Sequence, residues 1–158
     1  MQAKDIKYNS SEISNDSSSL NDFIALLKPR VMSLAVFTSI CGVILAPISL
    51  HPFFFFLSVL CISIGAGASG AINMWYDRDI DPLMSRTADR PIPAGEISPS
   101  SALIFGILIS IIGIWWLYVM ANPVASFWVA FSVLFYVFVY SMWLKRTSPQ
   151  NIVIGGIA

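Results

Sequence analysis

Charged side chains vanish from this chain twice. No Asp, Glu, Lys or Arg occurs from Val31 to Tyr76 or from Ile97 to Leu144, and both stretches are predominantly apolar. A helix crossing a bilayer needs about 20 apolar residues, so each stretch has room for two crossings and a short turn. The pattern predicts helices over about 31–50, 53–72, 101–120 and 124–144, turning at His51-Pro52 and at Ala121-Asn122-Pro123. A further apolar segment begins at Ile152 and the chain stops at Ala158. The expected fold class is all-α: a polytopic transmembrane helical bundle of four full spans plus the start of a fifth.

Composition supports the pattern. The chain is 56% hydrophobic and 11% charged, a membrane class of sequence and not that of a soluble core. Its net charge of zero removes any case for nucleic acid as a partner; membrane lipid is the expected surrounding. Residues 1–22 are polar and Ser-rich and read as a disordered tail, ahead of a membrane domain over 23–158. The tail has no apolar core for a secretory signal, and its acids do not suit a mitochondrial transit peptide. Cys41 and Cys61 lie inside apolar segments and read as small buried side chains.

All nine cations fall on one side of the expected arrangement. Lys4, Lys7, Lys28 and Arg30 precede the first span; Arg78, Arg86 and Arg90 lie between the second and third; Lys145 and Arg146 follow the fourth. The two opposite turns carry none. The positive-inside rule then puts the N-terminus and the loop after the second span in the cytoplasm.

That loop opens with the run Asn73-Met74-Trp75-Tyr76-Asp77-Arg78-Asp79-Ile80-Asp81. If the second helix continues through it, Asn73, Asp77 and Asp81 fall within an arc of roughly 80°, stacked over about 12 Å, and Asp79 points elsewhere. Like charges four residues apart repel, and the repulsion grows at a membrane edge where screening water is scarce. A positive group is expected between them. Hard oxygen ligands suit Mg²⁺, commonly held by one or two carboxylates and a substrate's phosphates. The alternative is a solvated, acidic helix end, and the spacing by itself leaves both open. Arg86 and Arg90 follow in a proline-rich loop. Arginine forks match phosphate oxygens, so acids and arginines together point to a lipid-tailed diphosphate; either arginine alone would pass as an ordinary cytoplasmic cation.

Three other signals have plainer readings. Gly65, Gly67 and Gly70 spell GxGxxG, but no strand precedes them, and small-residue helix packing is the better account. His51, the single histidine, reads as an interfacial turn residue before it reads as a metal or haem ligand. Trp115, Trp116, Trp128 and Trp143 read mostly as interface anchors or lipid-facing bulk.

The spacing Asn73-x-x-x-Asp77-x-x-x-Asp81 after a small-residue helix resembles the first aspartate-rich motif of the UbiA-type intramembrane prenyltransferases. Lys28-Pro29-Arg30-Val31, the run from Asn73 to Asp81, Met84-Ser85-Arg86-Thr87 and Arg90-Pro91-Ile92-Pro93-Ala94-Gly95 are similar to the haem-farnesylating branch of that family, the haem O synthases. The likeness covers about 26–158. It implies transfer of a farnesyl group from farnesyl diphosphate to a vinyl group of haem B, in a bacterial inner membrane. It implies Asn73, Asp77 and Asp81 as catalytic ligands of Mg²⁺. It implies Arg86 and Arg90 as diphosphate-binding, with Lys28 and Arg30 as further candidates.

One departure matters. The family has about nine spans and a second aspartate-rich motif in its second half, and no second acidic cluster follows here. The chain is therefore expected to be the first half of the fold, inactive alone, with a missing or separately encoded C-terminal half as its partner. The competing readings are a non-catalytic half of a split enzyme and a small transporter or channel. The Arg- and Pro-rich loop argues against a channel whose cation site is the acids, because acids for ion passage would be expected at mid-bilayer.

Overall fold

The computed structural model describes residues 19–47 and 50–147. Most of the expected tail and the apolar segment from Ile152 lie outside the described residues.

Every regular element among the described residues is helical. They are α1 (Leu20–Leu26), α2 (Pro29–Leu45), α3 (Pro52–Tyr76), α4 (Pro99–Met120) and α5 (Pro123–Leu134), the last continuing as a π-helix (Phe135–Leu144) and a final turn, α6 (Lys145–Thr147). The four long helices each open on a proline. At the first helical position its missing N–H costs nothing and its φ is already helical. Side chains cap three of them, each accepting from a first-turn N–H: His51 Nδ1 from Phe53 at 3.3 Å, Ser98 Oγ from Ser101 at 3.1 Å, and Asn122 Oδ1 from Val124 at 2.8 Å. His51 thus has a local structural task in the turn.

Among the described residues, three helical stretches are long and apolar enough to cross a membrane: Pro52–Asp79, Pro99–Met120 and Pro123–Thr147. The expected first span over 31–50 is different. Helix begins at Leu20, inside the stretch read as tail, breaks at Lys28 with a 61° bend, and ends at Leu45. The pair α1–α2 counts as at most one broken span. Prolines explain both limits, since the residue before a proline is driven out of the α region. Lys28, before Pro29, has φ 51° and ψ 65°, and Ala46, before Pro47, is extended.

Helix α3 is the axis of the bundle and is buried along its small-residue stripe from Cys61 to Met74. The GxGxxG glycines are packing positions, as their surroundings require. A Cβ at Gly65 would meet Val129 of α5, and one at Gly67 would come within 3.1 Å of Leu27 and Met32. From the other side, a Cβ at Gly106 of α4 would stand 2.8 Å from Ile72 Cγ1. These close approaches bring α1, α2, α4 and α5 around the polar end of α3.

The α-helix does not run through to Asp81. It stops at Tyr76, and two 3₁₀ turns follow, Asp77–Asp79 and Asp81–Leu83. Pro82 accounts for the second break. The next loop folds back under the bundle: Ile92 and Ile97 are buried with Leu26, Ala71, Met74 and Ala102, and Thr87 Oγ1 donates to the Asp81 carbonyl at 2.7 Å.

Candidate active site

Asn73 is on the last turns of α3, Asp77 opens the first 3₁₀ turn and Asp81 the second. A single straight helix does not unite them, yet all three are buried, at 3%, 1% and 2% exposure. A buried carboxylate is costly unless a charge or donors compensate it. Here each of the three polar groups is met by a cation from a different part of the chain. Lys28 Nζ donates to Asn73 Oδ1 at 2.8 Å. Lys145 Nζ donates to Asp77 Oδ2. Arg90 donates from one nitrogen to both Asp81 oxygens, at 2.9 and 2.7 Å. The positive charge that the acidic spacing called for is thus supplied by the protein itself.

The break between α1 and α2 places Lys28. Its left-handed backbone, uncommon for a residue with a Cβ, is held by Val31 and Met32 N–H groups donating to its carbonyl at 2.9 and 3.0 Å. Burial first, and then the Arg90 and Lys145 charges, push its ammonium pKa down to about 8 against the pull of Asp81 and Asp77.

The π-helix places Lys145. Val133, Val137 and Ser141 are buried at four-residue intervals, and Lys145 is the next step. In an α-helix a four-residue step overshoots a full turn by about 40°, so three steps would drift about 120°. The wider i→i+5 turn takes up that drift and keeps the row facing α3. Ser141 Oγ accepts from Asn73 Nδ2 at 3.1 Å.

The remaining polar residues lie outside this cluster. Asp79 is 57% exposed and pairs with Arg146 at 2.8 Å. Arg146 also stacks 4.4 Å over the Tyr76 ring, strapping the chain after the π-helix to the end of α3. Arg86 and Arg30 are exposed, and neither side chain makes a hydrogen bond among the described residues. So the structure gathers Asn73, Asp77, Asp81, Arg90 and Lys28, and leaves Arg86 and Arg30 exposed and outside those contacts. The sequence reading missed Lys145 and Ser141. The available signal was a lysine directly after an apolar span, with a serine one four-residue step before it.

The cluster suits a small hard cation in one respect. Asp77 Oδ1 is buried with no hydrogen-bond partner among the described residues, an acceptor still to be satisfied. Among the described residues no three His, Cys, Asp or Glu side chains converge on one point. What the cluster offers is two carboxylates and an amide, oxygen donors of the kind that hold Mg²⁺ with help from substrate phosphates.

A model of the UbiA prenyltransferase family matches residues 35–158. The chain belongs to the UbiA prenyltransferase family. It is a multi-pass, helical membrane member of it, with the polar cluster at one end of the bundle. Among its relatives are proteins named protoheme IX farnesyltransferase. The one from Beijerinckia indica is 53% identical over 92% of this chain and 46% of its own length. That from Sinorhizobium fredii is 57% identical over 89% of this chain and 44% of its own length, and that from Ruegeria pomeroyi is 54% identical over 90% and 45%. The chain spans about half the length of the curated relatives it matches. No solved structure matches it.

Proposed function

We propose that the whole protein transfers a farnesyl group from farnesyl diphosphate to a vinyl group of haem B, giving haem O. The observation that carries this reading is the buried set Asn73, Asp77 and Asp81 facing Lys28, Arg90 and Lys145. It lies at the end of an apolar bundle whose relatives bear the name protoheme IX farnesyltransferase. Diphosphate needs positive charge, farnesyl needs an apolar path, and this end of the bundle offers both.

In the reaction the bond from farnesyl C1 to the diphosphate oxygen breaks, and the diphosphate leaves with the electron pair. The vinyl group attacks the resulting allylic cation, water adds to the haem-side carbon, and a proton is released. Mg²⁺ held by Asp77, Asp81 and Asn73 would supply charge stabilisation for the leaving diphosphate. Lys145 and Arg90 turn from the carboxylates to diphosphate oxygens, and Lys28 does the same from Asn73, with Arg86 and Arg30 as outer contacts. The helix walls keep water from the cation until the carbon–carbon bond has formed. The remaining length that the relatives have would complete the metal's coordination, in the same chain or as a separate half. The protein resides in the cell inner membrane with its N-terminus and acidic loop on the cytoplasmic side, as the cation distribution indicates.

The test is to incubate membranes containing the whole protein with haem B, farnesyl diphosphate and Mg²⁺. Haem O is expected, identified by mass. Diphosphate release with farnesyl carried to a different acceptor would overturn the haem assignment and leave the diphosphate site standing.

A further inference from the structure

We infer that Ser141 is a positioning residue: it fixes which end of the Asn73 amide faces the site, so that Asn73 offers its carbonyl oxygen to a bound cation. The inference rests on the metal–diphosphate reading above and assigns a task to a residue that contacts neither substrate nor reacting atoms.

An ammonium only donates, so the Asn73 atom 2.8 Å from Lys28 Nζ is Oδ1,. The amide nitrogen then points away, to Ser141 Oγ at 3.1 Å. Since Asn73 Nδ2 only donates, the serine oxygen must accept there, and its own hydrogen goes to the Tyr136 carbonyl at 3.0 Å. A carbonyl only accepts. The row Lys28, Asn73, Ser141, Tyr136 therefore has one direction from end to end, and no member can reverse without setting two donors or two acceptors face to face. Asn73 and Ser141 are both buried, and an unmet polar group there costs its full desolvation.

The π-helix makes this possible. Ser141 bonds the carbonyl five residues back, in step with an i→i+5 turn, and so keeps a lone pair toward α3. When Lys28 moves to a diphosphate oxygen, Ser141 still holds the amide nitrogen. Oδ1 stays aimed at the place the ammonium left, and a metal ion can take that place. With the serine hydroxyl removed, the amide loses its anchor and both of its ends compete for the site.

The experiment measures retention of radiolabelled farnesyl thiodiphosphate, a poorly transferring analogue, by the whole protein in lipid nanodiscs as Mg²⁺ is varied. Ser141→Ala is expected to raise the Mg²⁺ concentration for half-maximal retention about ten-fold, the size typical of losing a partner behind a metal ligand. Retention at saturating Mg²⁺ should be unchanged, and Ser141→Thr should stay within about two-fold of the unaltered protein, because it keeps the hydroxyl. In an Asn73→Ala background, Ser141→Ala should add nothing further. An unchanged Mg²⁺ requirement in Ser141→Ala overturns the inference, as does an equal loss in Ser141→Thr or a full extra loss in the Asn73→Ala background. Should Ser141→Ala not accumulate, Ser141→Cys takes its place, with a smaller shift expected and no shift overturning. Retention by the unaltered protein that ignores Mg²⁺ would overturn the metal reading itself, before any variant is compared.

Discussion

Lys145 and Asp77 are 68 residues apart, and the Lys145 ammonium donates to Asp77 Oδ2 while Asp77 Oδ1 is buried with no partner among the described residues. Half of this carboxylate is satisfied by the protein's own cation, and half is left for another. On the proposed reading, a divalent ion at this carboxylate would share it with the Lys145 ammonium, and metal entry would be coupled to lysine movement.

Replacing Lys145 by Met should lower stability and make it depend on Mg²⁺. Breaking a buried ion pair costs about 3–5 kcal/mol, and the 32% exposure of the lysine side chain puts the loss at or below the lower end. Mg²⁺ can then neutralise the stranded carboxylate. Thermal unfolding of the purified protein should show a larger rise in Tm on adding Mg²⁺ for the variant than for the unaltered protein. An equal rise would mean that Lys145 and the ion do not share the site.

Within the complete enzyme, Asp77→Asn and Asp81→Asn should each cut turnover by roughly a hundred-fold or more, since each removes charge from the metal's donor set. Asp79→Asn should cost far less, because its side chain faces solvent and pairs with Arg146. Steady-state rates at saturating Mg²⁺ decide this. Equal losses for all three would remove the distinction between the buried and the exposed acids.

Lys28→Gly and Lys28→Ala should part company. Both lose the contact with Asn73 and should weaken diphosphate retention alike. Glycine accepts φ 51° freely, whereas alanine is strained there by about 1–2 kcal/mol. Denaturant unfolding should find Lys28→Gly the more stable of the two. The reverse order would mean the bend does not persist in the membrane.

At the α3–α4 contact, Gly106→Ala should destabilise by about 1–3 kcal/mol. Its Cβ would stand 2.8 Å from Ile72 and 3.4 Å from the Ala68 carbonyl, so the Ile72 side chain or the helix spacing must shift. Ile72 adjoins Asn73, and the same variant should also raise the Mg²⁺ requirement. A fully stable variant would show the ladder of small residues to be dispensable.

Cysteines placed at Glu96 and at His51, in a background without Cys41 and Cys61, should react with a membrane-impermeant thiol reagent from opposite sides. Labelling of both from the cytoplasm would overturn the proposed orientation.

The apolar stretches, the polar run between them and the one-sided cations were legible in the amino-acid order. They report a local quantity, the cost of moving each side chain between water and lipid, which sums over neighbours in the chain. Gly65, Gly67 and Gly70 could be read as packing positions for the same reason, since small side chains on a membrane helix serve close approach. The prolines carry local rules of the same kind: Pro29, Pro47 and Pro82 mark the bend at Lys28, the end of α2 and the second 3₁₀ turn.

Only the tertiary structure decided which cation meets which acid. Lys145 looked like any lysine after a span, and Arg86 looked the equal of Arg90. The fold sends Lys145 to Asp77 and Arg90 to Asp81, and leaves Arg86 exposed. It also converts the end of the last described span into a π-helix, which brings Ser141 to Asn73. These pairings depend on how α5 lies against α3 and on which groups that packing dries. A buried charge takes the partner that geometry puts within reach, whatever its distance along the chain.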